Sequence, residues 1–271
     1  MGNPLAVQLY TVREELGDDR ARVLRRIAGF GYGAVEPFDV ISDPDGLRAD
    51  LDAAELAVCS VHGWPFGDQA DAAFRGAQVV GADTVIVPHM PPERFAGADG
   101  VRALARELND ASGRAAGHGL RLGYHNHDFE LSAPIGGRPA LEVLADLLDP
   151  AVLLEVDTYW AAVGGQDVPA LLGRLGDRVR FLHIKDGPVT RDDPMTAVGA
   201  GKMPVAEILA AAPALEWRVV ELDACATDMM TAVGDSITWL VNHGLAAAPA
   251  AVPDPSGLSG PSGPSGAAGG R

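Results

Sequence analysis

An alternation of strand and helix patterns, repeated about eight times over about 240 residues, constrains the fold of this chain more than any other sequence feature. Short apolar runs predict the strands, and the segments between them carry apolar residues at helical spacing. The predicted strands are 5–10, 34–38, 57–61, 84–87, 120–125, 152–156, 179–184 and 217–222. The predicted helices are 18–30, 45–56, 69–80, 101–116, 139–148, 168–175, 204–211 and 227–245.

The number of units and their length match a single α/β domain of the (β/α)8 TIM-barrel class, which typically has about 250 residues. A doubly wound open sheet is the alternative, but it needs fewer units or a second domain. No Gly-x-Gly-x-x-Gly motif opens the first helix, so a dinucleotide-binding fold has no support. We therefore predict a barrel domain over 1–245, followed by a disordered low-complexity Ala/Pro/Ser/Gly tail over 246–271.

The net charge of −16 restricts the partners of the protein. It opposes binding to nucleic acid, which requires a basic surface, and to anionic membranes. The two cysteines, Cys59 and Cys225, lack CxxC spacing and favour a reducing cytoplasm over a disulfide framework. No apolar run approaches the roughly 20 residues of a transmembrane helix. We expect a cytoplasmic protein with a small-molecule partner and no nucleic-acid or membrane partner, and a homo-oligomer is compatible with the sequence.

Reactive side chains collect where the predicted strands end. The densest group is LGYHNHDFE over 122–130, in which His125 and His127 are two residues apart and point to the same side of a strand. In a TIM barrel the active site is built from the carboxyl ends of several strands. The sequence therefore predicts that the strand-end residues meet at the barrel mouth: Glu36, His62, His89, His125, His127, Glu130, Asp157, His183, Lys185 and Glu221.

Side-chain parity supports an inward orientation for the later strands. Apolar residues alternate with polar ones, so one face of each strand meets the helices and the other faces the barrel interior. The inward pairs predicted in this way are Glu155 and Asp157, His183 and Lys185, and Glu221 and Asp223. Glu155 lies deeper than the others, and we expect it to pair with an arginine or lysine.

Several carboxylates and imidazoles buried together are too costly unless they are paired or bind a cation. We predict a divalent metal held by Asp157, His183, Glu221 and one group from the fifth strand. This ligand set favours Mn²⁺, with Mg²⁺, Co²⁺ or Zn²⁺ as alternatives. Asp157 is interpreted as a ligand rather than a helix cap, because residues 158–160 do not predict a helix start.

A metal beside paired carboxylates suits the removal of a proton from a carbon next to a carbonyl, with stabilisation of the resulting enediolate. In this interpretation the residues that carry the proton chemistry are Glu221, Glu130, His127 and Lys185. The residues predicted to contact the substrate are Glu36, His62, His89, His125 and Trp160.

Five motifs occur in order along the chain: QLYTVR (8–13), YHNHDFE (124–130), DTYW (157–160), HIKD (183–186) and VGAG (198–201). Together they resemble the xylose isomerase-like TIM-barrel superfamily, the sugar phosphate isomerases/epimerases, over residues 5–245. The resemblance implies a metal at the barrel mouth, with Asp157, His183 and Glu221 as three of its ligands. The epimerases carry a glutamate ligand where this chain has His125, so either Glu130 or His125 supplies the fourth ligand.

The expected activity is that of a metal-dependent isomerase or epimerase acting on a sugar or keto-sugar. One alternative is a lyase of the inosose dehydratase type, acting on a keto-sugar or keto-cyclitol. Such a lyase begins with the same proton abstraction and then expels hydroxide with help from His127 or Lys185. A second alternative is a non-catalytic barrel that binds sugar.

Overall fold

A computed structural model describes residues 5–212 and 214–247 and shows a barrel of parallel strands surrounded by helices. The strand segments are Leu5–Gln8, Ala34–Glu36, Ala57–Val58, Val61–His62, Thr84–Val87, Arg121–His125, Val152–Asp157, Val179–Ile184 and Trp217–Val220. Ala57–Val58 and Val61–His62 are two parts of the third strand, so the nine segments make eight barrel strands. The predicted TIM-barrel class is confirmed.

The sheet closes on itself through the interrupted third strand. The first strand pairs in parallel with the eighth, as in Val7 opposite Val220, and the remaining neighbours follow in chain order. Ala57–Val58 pairs with the second strand, while Val61–His62 pairs with the fourth. Cys59 and Ser60 lie between the two segments. At these residues the chain passes from pairing with the second strand to pairing with the fourth, which closes the barrel.

The outer helices agree closely with the predicted ones. They are Arg13–Phe30, Pro44–Ala53, Ala70–Val80, Ala98–Gly117, Ala140–Leu147, Val168–Leu175, Val205–Ala210 and Met229–Asn242. Short α-helices at Phe129–Ser132 and Thr158–Val163 were not predicted, and 3-10 turns occur at Leu9–Val12, Gly67–Gln69, Pro92–Phe95 and Gly176–Arg178.

Two departures near the mouth have local causes. The first strand ends at Gln8, two residues earlier than predicted, because the Gln8 side chain accepts a hydrogen bond from the backbone N of Tyr10 at 3.1 Å. A small antiparallel hairpin, Pro134–Ile135 with Arg138–Pro139, follows the fifth strand. Its two connecting residues, 136 and 137, are glycines with positive φ, as the type I′ two-residue hairpin turn requires.

Apolar residues pack on both faces of the barrel wall. Val152, Leu154 and Val156 belong to the large core between sheet and helices, as the parity argument predicts. A smaller cluster of Ala6, Ala34, Cys59 and Val219 lies on the other face, inside the barrel. The polar strand ends alternate with the outer core residues and therefore also face the interior.

The chain ends are only partly covered by the structure. The predicted tail over 246–271 lies almost wholly outside the described residues, which stop at 247. Within 5–212 and 214–247, no helix combines the length and apolar character needed to cross a bilayer.

Candidate active site

His183, at the end of the seventh strand, is the centre of a buried polar network. Its Nδ1 lies 2.6 Å from Glu221 Oε2, and its Nε2 lies 2.7 Å from Glu36 Oε2 and 3.2 Å from Glu155 Oε2. Burial opposes protonation, but the charges of Glu155, Glu221 and Glu36 outweigh it and raise the pKa of His183 well above its ordinary value. The imidazolium therefore compensates carboxylates from three other strands.

Lys185, two residues further along the same face, supplies a second positive charge. Its Nζ lies 2.9 Å from Asp157 Oδ2, 2.7 Å from Glu221 Oε2 and 2.7 Å from Asp223 Oδ2. The side chain is almost fully buried, which disfavours the charged form, yet the three carboxylates raise the pKa of Lys185 well above its ordinary value. Two of these carboxylates, Asp157 and Glu221, are predicted metal ligands.

Glu36 lies beneath the mouth, in the polar layer that covers the small interior core. It accepts hydrogen bonds from Gln8 Nε2 at 2.8 Å and from Ser60 Oγ. Burial, reinforced by the neighbouring charge of Glu155, raises the pKa of Glu36. The interruption of the third strand brings Ser60 into this contact, so a local irregularity of the sheet helps to hold a buried carboxyl group.

Glu155 pairs with histidines, which corrects the expectation of an arginine or lysine partner. Its Oε2 lies 2.8 Å from His62 Nε2 and 3.1 Å from His125 Nδ1, in addition to the His183 contact. Burial raises the pKa of Glu155, but His183 and the other two imidazoles outweigh it and hold the pKa well below the ordinary value. The inward face carries imidazoles at this depth, whereas its lysine lies nearer the mouth.

Four of the site residues fit a divalent cation. His125, Asp157, His183 and Glu221 are buried, and each offers a ligand atom within 4.8 Å of the others. Asp157 Oδ2 accepts no well-aligned hydrogen bond although Lys185 Nζ is near, and His125 Nδ1 likewise makes none although Glu155 Oε2 lies 3.1 Å away. Two imidazoles and two carboxylates form a common ligand set for first-row divalent metals. A second set meeting the same distance lies deeper and consists of His62, His125, Glu155 and His183.

Asp157 begins a helix that the sequence analysis did not predict. Its Oδ1 accepts a hydrogen bond from the backbone N of Trp160 at 2.8 Å and caps Thr158–Val163. The expectation that no helix starts here is wrong, because the cap is the last residue of the preceding strand. The remaining oxygen, Oδ2, lies 3.7 Å from His125 Nε2 and close to Lys185. One carboxylate thus caps a helix and also faces the cluster.

Glu130 lies outside the cluster. Its Oε1 accepts a hydrogen bond from Tyr124 Oη at 2.7 Å, and its Oε2 accepts one from the backbone N of His127 at 2.9 Å. Tyr124 belongs to the outer core and occupies the strand face opposite His125. Burial raises the pKa of Glu130 to about 7. Of the two alternatives for the fifth-strand ligand, the structure brings His125 to the predicted ligands and holds Glu130 in the outer layer.

A cavity of about 390 Å³ opens at the mouth above the network. It is lined by Tyr10, Phe38, His62, Pro88, His89, His125, His127, Lys185, Glu221 and Asp223. Two predicted substrate contacts lie elsewhere in the described structure. Glu36 is fully buried below the cavity, and Trp160 stands beside Lys185, whose Nζ is 5.7 Å from the indole ring centre.

His127 is a neutral imidazole on the cavity wall. Burial lowers the pKa of His127 to about 2, and electrostatic repulsion from His125 and Lys185 contributes to this shift. Its ring lies 5.1 Å from that of His89 and 5.3 Å from that of His125, between ring centres. The Nδ1 atom is buried and has no hydrogen-bond partner among the described residues, so a bound molecule would contact the part of the ring that lines the cavity.

Four lining residues carry no role predicted from the sequence. Among these four, Asp223 is the residue that side-chain parity identifies as facing inward, because it lies two residues after Glu221. Tyr10, Phe38 and Pro88 follow the first, second and fourth strands and carry no charge, so a search for charged strand ends does not select them. Their sequence signal is their position at or just beyond the end of a predicted strand.

Asp186 organises the loop that follows the seventh strand. Its Oδ1 accepts hydrogen bonds from the backbone N of Gly187 at 2.8 Å and Met203 at 2.9 Å, and its Oδ2 accepts one from Gly199 N at 2.9 Å. Gly201 comes so close that a Cβ there would lie 2.1 Å from Asp186 Oδ1. The VGAG motif therefore has a structural role as the partner of a buried carboxylate.

We expect Gly201→Ala to lower the free energy of unfolding by about 1–3 kcal/mol, because the added methyl group displaces the Asp186 side chain or the loop backbone. Gly173→Ala is the matched control, since a Cβ at Gly173 has no neighbour within 4 Å. In the helix Val168–Leu175, alanine should stabilise by about 0.5–1 kcal/mol. Urea denaturation measures both, and equal stabilities would contradict the close approach at Gly201.

The family model described as "Xylose isomerase-like TIM barrel" matches residues 24–242. A solved sugar phosphate isomerase/epimerase from Parabacteroides distasonis superposes with a TM-score of 0.79 at 23% identity, covering 91% of this chain and 96% of that one. At this identity the superposition supports the fold alone.

Two groups of curated relatives are inosose dehydratases. The enzyme from Geobacillus kaustophilus is 30% identical over 200 residues, which cover 63% of this chain and 64% of that protein. Those from Mesomycoplasma hyopneumoniae are 36% identical over 84 residues, or 31% of this chain and 27% of theirs. The matched regions thus span less than two thirds of these relatives.

Proposed function

The chain belongs to the xylose isomerase-like TIM-barrel family, whose members include isomerases, epimerases and dehydratases, and from this premise we propose that it is a metal-dependent sugar or keto-sugar isomerase or epimerase. One observation carries the proposal. Ligand atoms of His125, Asp157, His183 and Glu221 lie within 4.8 Å of one another, and two of these residues line the 390 Å³ cavity.

In the proposed reaction these four residues hold a divalent metal, with Mn²⁺ preferred and Mg²⁺, Co²⁺ or Zn²⁺ as alternatives. The bound metal supplies Lewis-acid stabilisation of negative charge on the substrate oxygens. The deeper carboxylates, Glu36 and Glu155, contact His183 and fix the orientation of its ring.

Glu221 is the proposed base. It lines the cavity, and its ionised form is favoured because Lys185 and His183 overcome the effect of burial and lower its pKa well below the ordinary value. A carboxylate in this state can accept a proton from the carbon next to the substrate carbonyl. Return of that proton to the neighbouring carbon, with transfer of the remaining hydroxyl proton to the former carbonyl oxygen, gives an isomer. An epimer forms when a second proton donor, for which Lys185 and His127 are the candidates, protonates the same carbon from the opposite face.

Lys185 and His127 have complementary roles in the proposal. The Lys185 ammonium lies 2.7 Å from Glu221 Oε2 and can donate a hydrogen bond to an oxygen that gains negative charge. The neutral His127 ring lines the cavity and can form a hydrogen bond with a substrate hydroxyl. Glu130 is not assigned a proton-transfer role, because both of its oxygens accept hydrogen bonds away from the cavity.

A dehydratase acting on a keto-sugar or keto-cyclitol is the second candidate. The similarity to two inosose dehydratase groups favours it, and so does an acid already placed beside the base. The first step is the same proton abstraction by Glu221. Lys185 then donates a proton to the departing hydroxyl group, which leaves as water.

The experiment that tests both candidates is incubation with keto-sugar and keto-cyclitol probes in D₂O after treatment with EDTA and reconstitution with Mn²⁺. We expect the sugar to gain deuterium at the carbon next to the carbonyl only when it is incubated with the reconstituted protein. Mass spectrometry separates the candidates, since an epimer keeps the mass of its substrate apart from the deuterium, and a dehydratase product has lost water. Absence of deuterium with every metal would instead favour a non-catalytic sugar-binding barrel.

A further inference from the structure

The cavity at the barrel mouth has two chemically distinct parts. Its floor is polar and contains the groups proposed to hold and deprotonate the sugar, among them His125, Lys185 and Glu221. Its rim carries two aromatic residues, Tyr10 and Phe38, from the loops after the first and second strands. The volume of about 390 Å³ falls in the range of about 300–1,000 Å³ for pockets that hold drug-sized ligands.

Tyr10 and Phe38 are exposed although both are large and aromatic. Their exposed fractions are 41% and 38%, and neither belongs to either core cluster of the described residues. The rings pack edge to face, with 5.4 Å between their centres. Arg13 fixes this arrangement, since its guanidinium lies 4.2 Å from the Tyr10 ring centre and its Nη1 donates to the Tyr10 carbonyl at 2.8 Å.

This aromatic pair is therefore held in place without contributing to the core. Arg13 also donates from Nη2 to the carbonyl oxygen of Asp223 at 3.2 Å, and the Asp223 carboxylate contacts Lys185. The rim is thus tied to the polar floor by one side chain. Exposed aromatic rings beside a polar pocket are suited to stacking on a ring with an apolar face.

We propose that Tyr10 and Phe38 form a subsite for a second ring, so that the substrate is a glycoside rather than a free monosaccharide. This inference rests on the proposed function, because it places the reacting sugar on the polar floor. The second ring would be either another sugar, through its apolar face, or an aryl group. Because rim and floor line one cavity, a single molecule can place one ring on each.

The test is isothermal titration with methyl glucoside, phenyl glucoside and methyl cellobioside, which have neither a ketone nor a free reducing end and therefore bind without reacting. We expect phenyl glucoside or methyl cellobioside to bind about tenfold more tightly than methyl glucoside, a difference of about 1.4 kcal/mol. The tighter of the two identifies the second ring as aryl or sugar. In Phe38→Ala the preference should fall to about twofold or less, and Phe38→Tyr should retain it.

Trp64→Ala is the matched control. Trp64 is 42% exposed and packs against Phe66, but it does not line the cavity. The preference should survive in this variant. Equal affinities for the three glycosides in the wild type, or no measurable binding of the two larger ones, would overturn the subsite. A change in oligomeric state of Phe38→Ala with equal affinities would instead assign the aromatic pair to an interface.

The deuterium experiment on the wild type keeps the two proposals separable. A protein that prefers the larger glycosides but exchanges no proton retains the subsite and loses the proposed function. A protein that exchanges protons but shows no preference retains the function and loses the subsite.

Discussion

Glu221→Gln should lower the rate of deuterium exchange by about a thousandfold, within the range of about 10²–10⁴ that general acid–base catalysis contributes. Glutamine keeps the shape of the side chain but cannot accept the substrate proton. It also replaces a carboxylate that contacts His183 at 2.6 Å and Lys185 at 2.7 Å. Exchange is measured at saturating keto-sugar and Mn²⁺, so that weaker binding does not account for the loss.

The same variant should bind Mn²⁺ at least about tenfold more weakly, because one of the four proposed ligands has lost its charge. Titration calorimetry measures this independently of turnover. Glu142→Gln is the control, since Glu142 is also a buried carboxylate but pairs with Arg174 on the outer helices. Wild-type Mn²⁺ affinity in Glu221→Gln would remove this residue from the metal site, whatever its effect on exchange.

Lys185→Met should cost the metal-free protein about 3–5 kcal/mol of unfolding free energy, as expected when one partner of a buried ion network is removed. The ammonium is surrounded by Asp157, Glu221 and Asp223, all within 2.9 Å. Methionine fills a similar volume without charge, so the three carboxylates lose the compensating charge of the ammonium, and Glu221 keeps only the His183 contact. Urea denaturation in EDTA measures the difference.

Adding Mn²⁺ should stabilise Lys185→Met more than the wild type, because a bound cation can compensate Asp157 and Glu221 in place of the ammonium. The only other lysine of the chain, Lys202, lies exposed in the loop after the seventh strand and provides the control variant Lys202→Met. A metal-free Lys185→Met as stable as Lys202→Met would show that the ammonium does not compensate these carboxylates.

The fold could be predicted because strand and helix periods are local and repeat throughout the chain. Val179–Ile184 and Val168–Leu175 agree with the predicted bounds to the residue. The alternation of side chains along each strand was equally informative for the active site, since a strand residue that alternates with outer core residues must face the barrel interior. For this reason the sequence pattern alone places Glu155, Asp157, His183 and Glu221 inside the barrel.

Three features depended on contacts that the sequence does not show. The helix after Asp157 is started by a cap that is itself a strand residue. The position of Glu130 outside the cluster depends on Tyr124, whose hydroxyl group donates a hydrogen bond to the Glu130 carboxylate on the outer face. The aromatic rim depends on a contact between Tyr10 and Phe38, which are 28 residues apart in sequence and lie in different loops. Gln8 and Glu36, which are hydrogen-bonded to each other, have the same separation in sequence.

The interrupted third strand has a consequence for how the barrel opens. Each of its segments, Ala57–Val58 and Val61–His62, pairs over only two residues with its neighbour, so this is the seam with the fewest paired residues. Ser60 and His62, which hold Glu36 and Glu155, lie in or beside that seam. Local opening there would break the hydrogen bonds of the polar layer before the rest of the barrel unfolds, so amide exchange at this strand reports directly on the integrity of the site.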